Sequence, residues 1–438
     1  MKKLTVLSVL LASLLPAGVL AQNAARPARG TPPPAATMPP DQTPPARDWS
    51  TWGYDQERTA WNRGETTLTP KNVSRLALKW STQLSTPAND VVMSTLTSPI
   101  VVEGVQTPQG AKDMVYILGA DDTLFAIDAN SGKVAWQKTF SNPVKATKKA
   151  TWLCPNTAND TPVADKVRGV LYFITSDGNL RGLSLADGSE KLAPTPMVTP
   201  FARAWSLNLI DDVIYSPSGR ACGEITDKSS DWASAVQSSA ITLDPSAVTA
   251  VNIADPAHPQ ITRFYTAGAR PAAPWGRGGV VRSLNNSVVL ETSDGPYDPA
   301  AGSFTDSLLR LAPRATRLMD SFTPENHVYI QQHDLAGSAS PVVFPYDGKT
   351  MIAYAQKEGV LRLLDASAMG GTRGEHSTPL YMSPQLGNDA AKGTDPSQGV
   401  WGAVTTYLTP DNKRFVYVPM WGPPSTKAPK FAHDNGPT

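Results

Sequence analysis

Short apolar runs of strand length recur along the chain, each closed by a polar turn. The clearest copy is MVYILGADDTLFAIDANSGKVAW, residues 114–136. Asp121 and Asp122 make a turn between two predicted strands. Leu124, Ala126 and Asp128 then alternate with Phe125 and Ile127, the period of a strand. The DANSG turn at 128–132 needs its glycine because the chain must adopt a positive φ there. Trp136 is placed to fill the space between neighbouring sheets. The pattern repeats in VLYFITSDGNLRGLSLADGSEKL (170–192), without the Trp, and in MIAYAQKEGVLRLLDASAMGG (351–371). More divergent copies lie at 209–244 and 288–320, and VWGAVTTYL (400–408) begins another. RLALKW (75–80) reads as a lone closing strand of the same type. No stretch of helical period and ordinary helix length competes with these strands.

One four-stranded sheet cannot bury both its faces, so the copies must stack, and the radial way to stack them is a β-propeller. The predicted fold is therefore all-β, with four-stranded antiparallel blades, seven or eight for a chain of this size. The last copy, FVYVPMWGPPSTKAPKFAHDNGPT, runs into polar, Pro-rich sequence with no closing Trp strand, so the final blade is expected to be incomplete. An open sheet edge invites aggregation, which favours a C-terminally shortened chain over a complete ring.

Composition refines this picture. Forty Pro, 32 Gly and 11 Trp with 18% charged residues describe many turns, short strands and large aromatic fillers. A net charge of +1 gives no argument for nucleic acid or an anionic membrane. Lys2 and Lys3, the apolar stretch Leu4 to Leu15, and Val19-Leu20-Ala21 predict a signal peptide over residues 1–21. That stretch is too short to span a membrane and no second long one follows. Gln22, not Cys, follows the expected cut, which argues against a lipid anchor. Residues 22–47 carry almost no large apolar side chains and read as a Pro-rich flexible linker. The expected compartment is periplasmic or extracellular, where Cys154 and Cys222, the only cysteines, can form one disulfide. No Cys-x-x-Cys-His is present, so no covalent haem is expected. His258, His327, His333, His376 and His433 show no paired metal spacing; only His333 is placed to line a pocket.

The AIDANSGKVAW type of repeat, with the opening DWSTWGYDQERTAWNRGETTLTPKNVSRLALKW, resembles the quinoprotein alcohol dehydrogenases, which bind pyrroloquinoline quinone (PQQ) and calcium. The resemblance covers roughly residues 48–422. PWGRGGVVRSLNNSVVLETSDGPYD (274–298) is similar to the family segment whose Trp lies beneath the quinone, which implies Trp275 as the platform. Asp294 stands where the family has a metal-binding Asn, and a carboxylate is also a hard oxygen ligand for calcium. QQHDLAGSASPVVF (331–344) resembles the stretch with the catalytic aspartate, which implies Asp334 as base and metal neighbour. AQKEGVLRLLD (355–365) implies Lys357 as a cation at the quinone oxygens, where charge develops on reduction. Arg168 in KVRGVLYF matches an Arg near the quinone. Each residue also has a plainer reading: Trp275 as a filler between blades, Asp334 as a turn cap, Lys357 and Arg168 as solvated turn charges.

The chain departs from the family in three places, one of them the absence of the Glu expected near TLTSPIVV (95–102). Where two adjacent cysteines are common, TWLCPN (151–156) has Cys154 alone, and a bond to Cys222 would stand in for them. Ala221 stands where a metal-binding Glu is expected, with Glu224 three residues on. The implied function is a PQQ- and calcium-dependent dehydrogenase that oxidises an alcohol or sugar and passes electrons to a separate cytochrome c. The alternatives are a cofactor-free propeller acting as a binding or assembly scaffold, and a secreted protein acting on a polymer.

Overall fold

The computed structural model describes residues 47–84, 97–146, 149–151, 154–219, 246–266, 272–293, 295–337, 339–374, 376, 378–389 and 393–430. The expected leader, most of the linker, Cys222, Glu224, Asp294 and His433 lie outside these residues.

Antiparallel sheets follow one another along the chain. The first holds β1 (Ile100–Thr107), β2 (Gly110–Leu118), β3 (Thr123–Asp128) and β4 (Val134–Thr139) in that order. The second holds β5 (Val163–Asp165), β6 (Val170–Ile174), β7 (Asn179–Ser184) and β8 (Glu190–Pro196). The third contains β9 (Arg203–Ala204), β10 (Asn208–Ile210), β11 (Val213–Gly219), β12 (Ala247–Asn252) and β13 (Gln260–Tyr265), with β9 and β10 both on β11. The fourth contains β14 (Ala273–Trp275), β15 (Val281–Arg282), β16 (Val288–Ser293), β17 (Leu308–Leu311) and β18 (Leu318–Phe322), with β14 and β15 both on β16. A one-and-a-half-turn helix, α1 (His327–Gln332), leads through β19 (Ala339–Ser340) to the fifth sheet. That sheet is β20 (Val342–Tyr346), β21 (Lys349–Ala355), β22 (Leu361–Asp365) and β23 (Tyr381–Met382). The short strands β24 (Gly399–Val400) and β25 (Gly402–Ala403) precede a two-stranded hairpin, β26 (Thr405–Leu408) with β27 (Arg414–Tyr417), and β28 (Met420–Trp421) returns to pair with β24. Five full sheets and this hairpin are thus present among the described residues.

The hydrophobic cores lie between consecutive sheets. Ile100, Tyr116 and Leu124 of the first pack with Leu171, Phe173 and Leu183 of the second. The same holds between second and third, third and fourth, and fourth and fifth. Both faces of an inner strand are therefore covered, and all of Thr123 to Ile127 is buried, as the stacking of the copies requires. Tryptophans lock neighbouring sheets edge to edge. A Cβ on Gly132 would come within 2.7 Å of the Trp80 ring, and one on Gly188 within 2.9 Å of the Trp136 ring. Both glycines have positive φ, 70° and 71°. Trp80 also donates its indole N–H to Ala129 O at 2.8 Å. Residues 75–80, the expected closing strand, form no ladder, but their Trp80 docks on the first sheet as that reading requires.

A radial arrangement follows from the entry segment. Trp49 exchanges backbone hydrogen bonds with Val101 on β1, and Ser50 O accepts from Ala164 on β5. Thr51 donates to Leu207 O beside β10. Gln56 O then accepts from Arg282, Glu57 O from Val343 and Thr59 O from Thr406. Eleven residues reach an inner strand of every sheet in chain order, which only sheets around a common axis permit. Arg58, wholly buried, pins this segment with hydrogen bonds to Gly278 O (2.9 Å), Leu207 O (2.9 Å), Trp52 O (2.6 Å) and Thr51 Oγ1 (2.7 Å). Burial pulls its guanidinium down to about 9, opposed by Asp55 and Glu57.

Candidate functional site

Four elements converge at the fourth and fifth sheets. Trp275 ends β14 and faces Glu291 across the β14–β16 ladder. Its indole meets Trp205 edge to face, with centroids 5.2 Å apart. The Arg203 guanidinium lies over both rings, 4.7 Å from Trp205 and 5.3 Å from Trp275. Trp205 is fixed in turn by its N–H to Pro274 O at 2.9 Å. Gly337 closes the other side: a Cβ there would lie 3.1 Å from Trp275 Cβ.

Asp334 follows α1 with φ of 51°, a left-handed turn that an aspartate tolerates better than most residues. That turn ends the helix and sets the carboxylate toward the β21–β22 turn. Lys357 sits in that turn, which Gly359 N closes onto Gln356 O at 2.8 Å. Its ammonium donates to Asp334 Oδ1 at 2.7 Å and lies 5.6 Å from the Trp401 ring.

Beneath this pair lies a buried acidic group. Glu291 is fully buried, and its Oε1 accepts from Gly337 N at 3.1 Å. Burial raises its carboxyl well above the ordinary range; the Gln356 amide, Gly337 and Lys357 oppose this and Asp306 adds to it. Asp306, 1% exposed, is pushed up to about 7 by burial, with Asp334 adding and Thr305 and Lys357 opposing. Glu291 Oε2 and Asp306 Oδ2 complete no hydrogen bond. Buried carboxyl groups without full partners are costly and concentrate at functional sites. The sequence reading passed over Glu291, Asp306, Gln356 and Arg203. A signal for one was present: Glu291 interrupts the apolar run VVLETS, where an acid has no packing role.

Trp275, Asp334 and Lys357 are therefore drawn into one region, with Gly337 and Glu291 between them. Arg168 is not drawn there. It lies in the β5–β6 turn, pairing with Asp165 at 2.7 Å and with Asp212 of the β10–β11 turn. Those two hydrogen bonds raise its guanidinium above the ordinary value. These turns join first to second strands, whereas Lys357 occupies a turn joining second to third, at the opposite edge of its sheet. Cys154 is disulfide-bonded. His333 stacks on Tyr329 with centroids 4.2 Å apart, and its Nδ1 lies 2.9 Å from Tyr329 O. His258 sits in an exposed turn beside Asp255, while His327 and His376 stack on each other 5.7 Å apart.

Among the described residues no three His, Cys, Asp or Glu side chains are grouped to hold a metal. Asp294 and Glu224 lie outside them, and Asp334 Oδ1 is engaged by Lys357. The described residues alone do not fit a calcium ion. Trp205, Trp275, Arg203 and Lys357 bring aromatic faces and cations into this region, and each is at most 9% exposed, with the Arg203 guanidinium lying over both indoles.

Stacked four-stranded antiparallel sheets, with tryptophans docked on turn glycines, define a β-propeller. The structural comparisons agree. A quinohemoprotein alcohol dehydrogenase from Comamonas testosteroni matches with a TM-score of 0.55 at 16% identity, over 86% of this chain and 58% of that one. One from Pseudomonas putida HK5 gives 0.56 at 17%, over 85% and 57%. A europium-containing methanol dehydrogenase gives 0.57 at 13%, over 84% and 68%. The chain thus spans less than three fifths of either alcohol dehydrogenase. The sequence model of the family described as outer membrane protein assembly factor BamB matches residues 44–218. No curated protein matches the sequence. The chain resembles the PQQ-binding-like propellers as a divergent one, a likeness of fold. Among the described residues no helix is long and apolar enough to cross a membrane.

Proposed function

We propose that the chain is a secreted quinone-dependent dehydrogenase oxidising an alcohol or sugar. The observation that carries this reading is the Lys357–Asp334 pair beside the Trp275 surface, assembled from segments distant in sequence. Asp334 is 60% exposed on its side chain while Lys357 is 7% exposed, so the carboxylate is open to a substrate hydroxyl and the ammonium holds it in place. Asp334 takes the hydroxyl proton as general base. The quinone, when bound, supplies the hydride acceptor. Trp275 would give it an apolar face and Arg203 and Lys357 cations, above Glu291 and Asp306, whose carboxyls burial raises. By the family resemblance, Asp294 and Glu224 with Asp334 would hold a calcium ion. A separate cytochrome c would take the electrons, in the periplasm or outside the cell.

The BamB match over residues 44–218 favours a second reading, a cofactor-free propeller serving as a binding or assembly scaffold. Titration of the full chain with PQQ and calcium decides between them. The dehydrogenase predicts saturable quinone absorbance and alcohol- or sugar-dependent dye reduction. Absence of quinone binding at every calcium concentration leaves the scaffold.

A further inference from the structure

A groove of about 830 Å³ lies beside the candidate site, walled by α1, the β21–β22 turn, His376 and residues 378–385. Its volume falls within the roughly 300–1,000 Å³ of small-molecule sites. Its floor is an ion pair, Arg362 with Glu358 at 2.6 Å, whose side chains are only 3% and 8% exposed. Taking two charges out of water costs free energy unless their remaining positions are satisfied. Here Asn326 donates to Glu358 Oε1 at 2.6 Å. Gln385 donates to the Glu358 and Asn388 carbonyls at 3.2 and 2.9 Å. The planar groups of the floor are thus held in fixed orientations before any ligand arrives. The four charged side chains of the lining, Glu325, Glu358, Arg362 and Lys427, cancel in sign. Around them stand flat apolar surfaces, Tyr329, Phe322 and two prolines.

We propose that this groove binds a saccharide. Cancelled charge selects a neutral ligand over a phosphate or a carboxylate. Above the paired Glu358 and Arg362, the exposed Asn326 and Thr378 and the half-buried Gln385 offer amide and hydroxyl groups to a ring edge bearing several hydroxyls. The Tyr329 ring matches the C–H face of the same ring. The groove adjoins the reaction site through Glu358, the neighbour of Lys357, and through α1, which leads into Asp334. It therefore names the substrate class of the dehydrogenase, resting on that reading for its purpose but not for binding itself.

The test is calorimetric titration of the full chain, without quinone, against glucose, galactose and cellobiose, with inorganic phosphate and hexanol as contrasting probes. At least one sugar is expected to bind at millimolar concentration. Thr378→Trp, which fills the groove from an exposed position, and Tyr329→Ala should each weaken it about tenfold or more. Thr378→Trp should leave the melting temperature unchanged. Absence of binding by all three sugars, tighter binding of phosphate or hexanol, or sugar affinity untouched by Thr378→Trp overturns the proposal. Sugar binding without sugar-dependent dye reduction in the PQQ-loaded chain would instead count against the dehydrogenase and leave the groove standing.

Discussion

The ammonium of Lys357, on the loop of the fifth sheet, lies 2.7 Å from Asp334 Oδ1 at the end of α1. One side chain is buried and the other open, so the pair presents a fixed carboxylate at a solvent-reachable surface. Asp334→Asn should lower turnover roughly a hundredfold or more and leave quinone binding intact, because the base is lost while the Trp275 surface remains. Lys357→Ala should weaken both. Quinone absorbance and dye reduction, measured on the same samples, separate the two effects. Equal loss of quinone binding in both variants would contradict the assigned roles.

Arg58 ties the entry segment to Leu207 O and Gly278 O, on either side of the third-to-fourth-sheet junction. Arg58→Met keeps much of the volume and strands several buried carbonyls. The expected loss is on the order of 3 kcal/mol or more, read from thermal or urea unfolding. A change below 1 kcal/mol, on the scale of an ordinary surface substitution, would show that the segment is not a structural pin.

Gly132→Ala and Gly188→Ala each place a Cβ against an indole at a backbone of positive φ. Each is expected to cost about 1–3 kcal/mol. Trp80→Phe combined with Gly132→Ala should recover part of the first loss, since the smaller ring gives way. Additive losses in that double variant would place the strain in the backbone alone.

Asp160, wholly buried in the second sheet region, has its carboxyl pushed up to about 7 by burial, against a hydrogen bond from Ile174 N. Between its ordinary value of 3.8 and about 7 the folded chain holds a proton that the unfolded chain has released. Its contribution therefore lowers stability as pH rises through that window, and the loss is complete above it. Asp160→Asn keeps an acceptor for Ile174 N and removes the ionisation. It should gain on the order of 1–4 kcal/mol at pH 8 and little at pH 4. Denaturant melts at the two pH values check this; a gain at pH 4 as large as at pH 8 would refute it.

Much of the fold was legible because each blade is a local repeat. Asp128 accepts hydrogen bonds from Asn130 and Ser131, which with Gly132 make the turn visible in five consecutive residues. Trp275, Asp334 and Lys357 were legible only through resemblance, since nothing in their neighbours requires them to meet. Arg168 looked equivalent in sequence, yet it sits in a first-to-second-strand turn, and a turn sequence does not say which edge of the sheet it occupies. Blade number was read from length alone, whereas five full sheets and a hairpin are described.

The sequence by itself determined strand, turn and repeat, because those rest on alternation, on turn chemistry and on the need of each sheet for a neighbour. It also marked the docking tryptophans, whose glycine partners recur at a fixed place in the turn. Only the tertiary structure decided that residues 49–59 visit every sheet around one axis. It alone placed Glu291, Asp306 and Gln356 beneath Lys357, and the Arg362–Glu358 floor beside it. Those contacts join residues tens to hundreds of positions apart. Their energies come from burial and charge proximity, which exist only once the sheets have packed around them.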